Sequence, residues 1–229
     1  MANILLIHGA YMGGWSWKFV AAALRAQGHM VVAPTLDGCA ERAPTLRPGI
    51  TVETHAAELA GLLFHEDLRD VVAVGTSTGG MVLCRLAELA PDRIARLVFA
   101  DALALQDGER LSAILKRPKA INTPISTVPS REDAEERLFA DMDPGLKAWT
   151  LARYAPHPIA AMEGPVTLRT FWGMRWPGTR VIACRRSTNP PLGHQRRIAE
   201  AFGASWAELD TGHYPFLTEP DALARLIMA

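Results

Sequence analysis

The sequence predicts an α/β fold in which a mostly parallel sheet of six strands carries helices on both faces. Three observations lead to this prediction. Short apolar runs rich in β-forming residues alternate with helical patterns, those patterns are long enough to cross back over a sheet, and the 229 residues suffice for one large domain. Alternation of this kind is typical of parallel sheets that are buried on both faces.

The predicted strands are short, and the predicted helices lie between them. Strands are predicted at Asn3–His8, Met30–Ala33, Val71–Gly75, Arg96–Ala100, Arg180–Cys184 and Trp206–Leu209. Helices are predicted at Trp17–Gln27, Val52–Phe64, Gly80–Leu89, Gln195–Phe202 and Pro220–Met228. The last helix has a proline at its first position, where a backbone N–H is not needed.

One stretch interrupts this alternation. From about Gln106 to Gly178 no strand pattern is found, but helical patterns occur at Arg131–Met142 and Leu146–Tyr154. An insertion near the carboxyl ends of the strands of an open α/β sheet lies over the crevice where such sheets bind ligands. We therefore expect residues 1–229 to form a single domain, in which about residues 106–178 are a small helical cap.

Charge and hydropathy exclude several classes of function. Lys and Arg number 24 and Asp and Glu also number 24, so no basic surface for nucleic acid or lipid headgroups is expected. The apolar run Ile4–Ile7 is too short for a signal sequence, and no stretch reaches the roughly 18 apolar residues of a membrane span. A cytoplasmic protein is expected. The basic runs Lys116–Lys119 and Arg196–Arg197 are expected to be solvated surface.

The cysteines predict free thiols. Cys39, Cys84 and Cys184 are odd in number and widely spaced, which fits neither a disulfide framework nor a Cys-x-x-Cys metal pair. No HExxH or similar spacing of metal ligands occurs elsewhere. We therefore expect no metal and no cofactor.

The strongest chemical signal is a strand that runs into Gly75-Thr76-Ser77-Thr78-Gly79 and then into a helix. This G-x-S-x-G pattern is typical of a nucleophile elbow, a sharp turn that lifts the serine hydroxyl away from the sheet. Side chains at positions 75 and 79 would collide with neighbouring backbone, so glycine is needed there. The following helix begins with partial positive charge, so the Thr78 N–H is a candidate oxyanion donor. The sequence contains neither a Gly-x-Gly-x-x-Gly nor a Gly-Lys-Ser/Thr pattern to suggest phosphate binding.

A serine hydroxyl needs a neighbouring base, and His213 is suitably placed for that role. It follows the last predicted strand by four residues and so lies at the carboxyl edge of the sheet with Ser77. His8 ends the first strand and is expected to be structural. The other histidines are expected to be surface or packing residues: His29, His55, His65, His157 and His194.

The turn after the first strand predicts a second oxyanion donor. Gly9 allows close approach of the backbone, so the Ala10 N–H is the candidate.

Several segments together resemble the α/β-hydrolase superfamily. They are Leu5–Ile7 with His8-Gly9-Ala10, Gly13-Gly14-Trp15-Ser16-Trp17, Pro34–Gly38 with Glu41-Arg42, the serine turn, and Leu209–His213. The resemblance covers nearly the whole chain except the cap. More narrowly, the chain resembles the small-esterase branch that includes plant methylesterases, hydroxynitrile lyases and bacterial carboxylesterases. The resemblance implies that Ser77 is the nucleophile, that His213 is the base and that the Ala10 and Thr78 amides form the oxyanion hole.

The chain departs from parts of this pattern. Lyases of the branch carry threonine where Gly9 stands and lysine where Tyr214 stands, so both of their markers are missing. The residue before the nucleophile is commonly histidine, but here it is Thr76. This change is expected to alter the pocket without removing the nucleophile.

The acid that orients His213 is the least determined member of the site. The superfamily usually places it after the next-to-last strand, but residues 185–191 contain no carboxylate. Asp101 follows the strand after the serine helix and fits the Ser…Asp…His order of the fold. A carboxylate there could accept the Nδ1 proton of His213 and fix its tautomer. The alternatives are a neutral substitute, a cap carboxylate or no third member; the candidates for the first two are Ser187, Asn189, Asp143 and Glu163.

The sequence therefore predicts a serine hydrolase of small apolar or aromatic esters, with carbamates and amides as related substrates, acting through an acyl-enzyme. The candidates for contact with substrate are Tyr11, Phe139, Trp149 and Tyr214. For the two cap residues, Phe139 and Trp149, the alternative is that their rings simply pack the cap. The missing carboxylate after Cys184 motivates an alternative, a non-catalytic ligand-binding homologue with a decayed triad. A hydroxynitrile-lyase-type enzyme is a further alternative. The expected partner is a small-molecule ester, and the sequence is compatible with a monomer or a homodimer.

Overall fold

Strands and helices alternate along most of the chain in the computed structural model, which describes residues 1–115 and 119–229. The strands within these residues are β1 (Asn3–Ile7), β2 (Met30–Val32), β3 (Val71–Ser77), β4 (Ile94–Ala102), β5 (Ala120–Asn122), β6 (Ser126–Pro129), β7 (His157–Pro158), β8 (Arg180–Cys184) and β9 (Ser205–Leu209). The helices are α1 (Lys18–Ala26), α2 (Val52–His65), α3 (Gly79–Leu89), α4 (Arg131–Asp133), α5 (Pro144–Leu151), α6 (Ile159–Glu163), α7 (Leu192–Phe202), α8 (Pro215–Thr218) and α9 (Pro220–Met228).

The central sheet has six strands in the order β2-β1-β3-β4-β8-β9. Each of its strand pairings is parallel. The predicted α/β class with a six-stranded parallel sheet is therefore confirmed. The carboxyl ends of β3 and β4 extend two residues beyond the predicted limits, to Ser77 and Ala102. Ser77 and Asp101 thus lie within the ends of neighbouring strands.

The sheet is buried on both faces. Leu5 and Ile7 of β1 pack towards α2, α3 and α7, whereas the alternate residues Ile4 and Leu6 pack towards α1 and α9. All four side chains are almost inaccessible to solvent. Burial of an aliphatic side chain of this size stabilises the fold by about 1.5–3 kcal/mol, so these two clusters hold the strand ends in a fixed arrangement.

The segment between β4 and β8 contains a small sheet that the sequence pattern did not indicate. Strands β5, β6 and β7 pair antiparallel, alongside helices α4, α5 and α6. Each of these strands has two to four residues, too few for a period-2 pattern to stand out. The cap therefore contains helices, as expected, and also three short strands, so the expectation that this segment has no strand was wrong.

The predicted helices of the cap also differ in detail from those observed. The pattern at Arg131–Met142 forms the short helix α4 and then a wider π-type turn over Ala134–Leu138. The pattern at Leu146–Tyr154 forms α5, which starts two residues earlier because Asp143 accepts hydrogen bonds from the Gly145 and Leu146 amides.

The two basic runs that the sequence predicts to be solvated surface differ in the structure. Residues 116–118 of the run 116–119 lie outside the described residues. Arg196 stacks over the Trp206 ring at the surface. Arg197 is not a solvated side chain as expected, because it pairs with Glu109 at 2.8 Å and donates to the Ala104 carbonyl oxygen.

The three cysteines are free and buried, as the sequence predicts. Burial raises the pKa of Cys39 to about 12, so this thiol stays protonated at neutral pH. No helix among the described residues is long and apolar enough to cross a bilayer.

His8 is completely buried at the end of β1, and its expected structural role is confirmed. Its Nδ1–H donates to the Gly9 carbonyl oxygen at 2.8 Å, and its Nε2 accepts from the Leu36 N–H at 3.0 Å. This pairing requires the neutral ring. Burial is the main cause that lowers the pKa of His8 to about 4.

We expect the free energy of unfolding to fall as the pH is lowered from about 6.5 towards 4. Below pH 6.5 the unfolded chain binds a proton at residue 8 that the folded protein excludes, so His8 alone should lower the free energy of unfolding by roughly 2 kcal/mol between pH 7 and pH 5. Burial lowers the pKa of three further histidines, which act in the same direction: His55, His157 and His194. Urea unfolding at pH 7 and pH 5 measures the change.

The matched variant is His8→Gln, which keeps a donor and an acceptor but does not titrate. It should be less stable than the native protein at pH 7 and should lose roughly 2 kcal/mol less on acidification. Equal losses in the two proteins would contradict the assignment of this pH dependence to His8.

Candidate active site

Ser77 lies on a tight turn between β3 and α3, and its backbone has a φ of 50°. The neighbouring glycines explain how the turn closes. A Cβ at position 79 would lie 2.6 Å from the carbonyl oxygens of Ile7 and His8, and one at position 75 would lie 2.9 Å from the Gly79 carbonyl oxygen. The predicted strand-turn-helix arrangement around the serine is therefore present.

Three side chains form one continuous chain of hydrogen bonds. The Ser77 Oγ is 3.0 Å from the His213 Nε2, and the His213 Nδ1 is 2.6 Å from the Asp101 Oδ2. A carboxylate only accepts, so the Nδ1 carries the proton and the Nε2 is free to accept from the serine hydroxyl. The His213 side chain is 19% exposed and Asp101 is fully buried. This arrangement allows the imidazole to take the hydroxyl proton while its charge is balanced by the carboxylate.

Asp101 reaches this position through an unusual backbone conformation at the end of β4, with a φ of 47°. Its second oxygen, Oδ1, accepts from the Gln195 Nε2 at 2.8 Å and from the Cys184 N–H at 3.3 Å. Each of its oxygens therefore has a defined partner. Charge-assisted bonds of this kind are among the stronger hydrogen bonds in proteins.

The alternative orienting groups lie elsewhere. The Ser187 hydroxyl bonds to the backbone of Asn189, and Asp143 caps the N-terminus of α5. Glu163 is exposed on the cap. Asn189 lines the cavity beside Ser77, but the hydrogen-bond partner of the His213 Nδ1 is Asp101.

Ala10 and Thr78 both line the cavity that contains Ser77. Gly9 brings the Ala10 loop against the turn, since a Cβ at position 9 would lie 2.7 Å from the Ser77 Cβ. Thr78 precedes the first turn of α3, whose N-terminus carries partial positive charge. Both predicted amides therefore belong to segments that meet at the serine.

The cavity over Ser77 is small and mostly apolar. Its volume is about 50 Å³, room for about three to five water-sized groups at roughly 10–15 Å³ each. The apolar lining includes side chains of the cap and of the core: Ala10, Met12, Leu111, Leu115, Leu138, Met162 and Phe216. Among the described residues that line it, none is Asp, Glu, Lys or Arg.

A second, more open cavity of about 250 Å³ lies on another side of His213. The two cavities share Leu138, Asn189, His213 and Tyr214. Arg137, Asp141 and Arg186 make the second cavity polar. Solvent can therefore approach the imidazole from a side other than the apolar cavity.

Two of the four expected contact residues line the apolar cavity. These are Tyr11 and Tyr214. Burial, with the neighbouring Tyr11 as the next cause, raises the pKa of Tyr214 well above its usual value. Its hydroxyl is therefore protonated at neutral pH and can act as a donor in the wall of the cavity.

Phe139 and Trp149 do not line this cavity. Phe139 is fully buried and packs edge-on against Tyr154 and Tyr214. Trp149 packs against Trp15 and Phe19, with Arg153 over its ring. The expectation that they contact substrate is corrected, because both rings are occupied by packing between the cap and its neighbours.

Two polar residues of the site were not foreseen. Gln195 holds Asp101, and Asp141 of the cap accepts from the Gly212 N–H at 3.0 Å, next to His213. Gln195 begins the sequence pattern predicted as a helix, but a single glutamine carries no motif. Only the fold shows that this helix start faces the end of β4.

No group of three or more His, Cys, Asp or Glu side chains in residues 1–115 and 119–229 is arranged to hold a metal ion.

The family model of the alpha/beta hydrolase family matches residues 4–226. A carbendazim hydrolyzing esterase of a Nocardioides species is 42% identical over 126 residues, 55% of this chain and 51% of that protein, so the match spans about half of that relative. Lipase LipV of Mycobacterium tuberculosis is 32% identical over 210 residues, 89% of this chain and 75% of that protein.

Solved structures show the same fold. An extracellular alpha/beta-hydrolase of a Paenibacillus species, described as sharing structural and functional homology with tobacco salicylic acid binding protein 2, superposes with a TM-score of 0.82. The match covers 100% of this chain and 98% of that chain at 22% identity. With the family model matched over residues 4–226, the chain belongs to the alpha/beta hydrolase family.

Proposed function

We propose that the protein is a serine hydrolase that cleaves small, neutral carboxylic esters through an acyl-enzyme on Ser77. The observation that carries the proposal is the hydrogen-bonded chain from Ser77 through His213 to Asp101, of which Ser77 and His213 line an apolar cavity. The order of the three groups supports nucleophilic catalysis, in which the serine hydroxyl donates to the imidazole Nε2 and the carboxylate accepts from the Nδ1–H.

The first half of the reaction forms the acyl-enzyme. The Ser77 Oγ attacks the ester carbonyl carbon while the His213 Nε2 takes the hydroxyl proton. The carbonyl oxygen becomes an oxyanion, which the amides of Ala10 and Thr78 stabilise. The tetrahedral intermediate collapses, the bond to the alcohol oxygen breaks, and His213 returns the proton to the leaving alcohol.

The second half releases the acid. Water gives a proton to His213 and attacks the acyl carbon, and the bond from that carbon to the Ser77 Oγ breaks as the serine recovers the proton. The polar cavity beside His213 offers a path for this water. Asp101 holds the same imidazole tautomer through both halves without itself taking a proton.

The small volume and apolar lining of the cavity favour neutral substrates with a short group next to the reacting carbon. A carboxylate placed among these apolar side chains would lose its water with no Lys or Arg among the described lining residues to pair with, a large cost. Names of relatives agree with an ester substrate, since they include a carbendazim hydrolyzing esterase and plant methylesterases. A carbamate or an amide would use the same machinery.

The two alternative functions have less support. A threonine at position 9, as in the lyases that the chain resembles, would place its Cβ 2.7 Å from the Ser77 Cβ, and the position after His213 holds Tyr214 rather than lysine. The decayed-triad binder was motivated by the missing carboxylate after Cys184, and Asp101 supplies a carboxylate to His213 from β4 instead.

A series of nitrophenyl esters with one leaving group tests the substrate class. We expect p-nitrophenyl acetate and butyrate to be hydrolysed well, and p-nitrophenyl decanoate to be slower because its chain exceeds the cavity. The p-nitrophenyl half-ester of succinic acid has the same number of acyl carbons as the butyrate but carries a carboxylate. Its kcat/KM should be lower than that of the butyrate by at least about 100-fold. The release of nitrophenolate measures the rate of hydrolysis of all four substrates. Equal rates for butyrate and succinate would contradict the neutral-substrate proposal.

A further inference from the structure

We propose that Gln195 is a positioning residue that holds the Asp101 carboxylate in the orientation that serves His213; this inference rests on the proposed function. Gln195 lies in the first turn of α7 and is 1% exposed. Its Nε2 donates to the Asp101 Oδ1 at 2.8 Å. It does not line the cavity beside Ser77, and within the hydrogen-bonded chain Ser77–His213–Asp101 the residue that it contacts is Asp101.

The two carboxylate oxygens of Asp101 accept hydrogen bonds from different partners. Oδ2 accepts from His213, whereas Oδ1 accepts from Gln195 and from the Cys184 N–H. Rotation of the carboxylate about its Cβ–Cγ bond would break the bonds on both sides at once. Of the two hydrogen bonds to Oδ1, the one from the Gln195 amide is shorter than the one from the Cys184 N–H. Its donor is a side chain, so a substitution can remove this bond without altering the sheet.

The amide of Gln195 is itself held in one orientation. Besides Asp101, its Nε2 lies 3.3 Å from the Pro190 carbonyl oxygen. Both neighbours of this nitrogen only accept hydrogen bonds, so the NH₂ group and not the oxygen must face them. The Gln195 amide is thus a neutral donor held in one orientation. It lies on α7, which follows loop 185–191, and donates to Asp101 at the end of β4.

The other end of the amide argues against a simple packing role. The Gln195 Oε1 is buried and has no hydrogen-bond partner among the described residues. A leucine or methionine would fill the same space without burying an unpaired acceptor, an arrangement that carries a stability cost. The polar group at this position is therefore explained by what its nitrogen does for Asp101.

The test compares Gln195→Leu with a control in the same helix. Gln195→Leu removes the donor and keeps most of the volume. Ile198→Ala removes packing from α7 at a fully buried position that cannot hydrogen-bond to Asp101 and does not line the cavity. A third variant, Gln195→Glu, keeps the shape of the side chain but places a second carboxyl group against Asp101.

Gln195→Leu should lower kcat by about 10- to 100-fold, because an Asp101 carboxylate that is free to rotate orients the imidazole less well, with KM changed less than about threefold. An Asp101 carboxylate with one donor fewer should hold the imidazolium proton more tightly, so the acidic limb of kcat/KM should move up by about half a pH unit. Its melting temperature should stay within a few degrees of the native value, because loss of the bond to Asp101 is partly offset by removal of the unpaired Oε1. Ile198→Ala should lower the melting temperature and leave both kcat and the pH profile unchanged. Gln195→Glu should be at least as impaired as Gln195→Leu.

A readout independent of turnover separates this inference from the proposed function. The Nδ1 proton of His213, in its 2.6 Å bond to Asp101, can be followed by ¹H NMR in protein selectively labelled at histidine. Its signal should shift in Gln195→Leu and stay in place in Ile198→Ala. A native protein without esterase activity would overturn the proposed function, and the NMR comparison would still decide the role of Gln195. An unchanged signal, or Gln195→Leu with native kcat and pH profile, would overturn the positioning role.

Discussion

Replacing Ser77 with alanine is expected to lower kcat by about 10⁶-fold, the size of loss found when a triad nucleophile is removed. The Ser77 Oγ is the atom that His213 faces at 3.0 Å, and alanine leaves the imidazole with no proton to take. Alanine should keep the turn, because it is no bulkier than serine and the glycines that allow the turn are unchanged. Hydrolysis of p-nitrophenyl butyrate by the purified variant, corrected for background, measures the loss.

The matched control is Ser112→Ala, a serine-to-alanine change at an exposed position of the cap. It should retain native kcat, and both variants should melt within a few degrees of the native protein. A Ser77→Ala variant that keeps more than a hundredth of native kcat would contradict nucleophilic catalysis by this residue.

Replacing Asp101 with asparagine is expected to lower kcat by about 10⁴-fold. Two donors, the Gln195 amide and the Cys184 N–H, face the Oδ1 position, so the asparagine should turn its oxygen towards them. Its NH₂ group then faces the His213 Nδ1, which must accept. The imidazole proton moves to Nε2, and the ring can no longer accept the proton of Ser77. Single-turnover measurements at several pH values report this loss in the acylation step.

Two controls accompany the Asp101 variant. Asp143→Asn makes the same chemical change at the cap of α5, and Ser187→Ala removes a candidate for a neutral third member. Both should keep kcat within about threefold of the native value, since the side chain of Asp143 bonds to the α5 amides and that of Ser187 bonds to the Asn189 backbone. A loss of less than tenfold in a well-folded Asp101→Asn protein would remove Asp101 from the orienting role.

The parts of the site that follow from chain order could be predicted from the sequence. The strand-turn-helix context of Ser77 and the loop that carries His213 are local patterns, and parallel strands bring their carboxyl ends to one edge of the sheet. Asp101 was one of several candidates because the sequence does not reveal which strand end faces His213. The sheet order β3-β4-β8 shows why β4 can supply the carboxylate.

The cap was predicted less well, for a physical reason. Strands of two to four residues leave no readable period, and the direction of an aromatic ring in a cap depends on contacts distant in the sequence. Phe139 and Trp149 are aromatic residues of the kind that often line pockets, but here their rings pack against other aromatic rings. Gln195 was not identified because a donor to a buried carboxylate has no signature of its own.

The central claim is that Ser77 is a nucleophile activated by His213 and Asp101. A fluorophosphonate probe tests it most directly, with intact-mass analysis and peptide mapping of the native protein and of the Ser77→Ala, Asp101→Asn and His213→Ala variants. Attack of the serine oxygen on phosphorus with loss of fluoride should give one rapid adduct, on Ser77, with sharply slower labelling in Asp101→Asn and His213→Ala and none in Ser77→Ala. A folded native protein that does not label would contradict the claim and favour a ligand-binding member of the family.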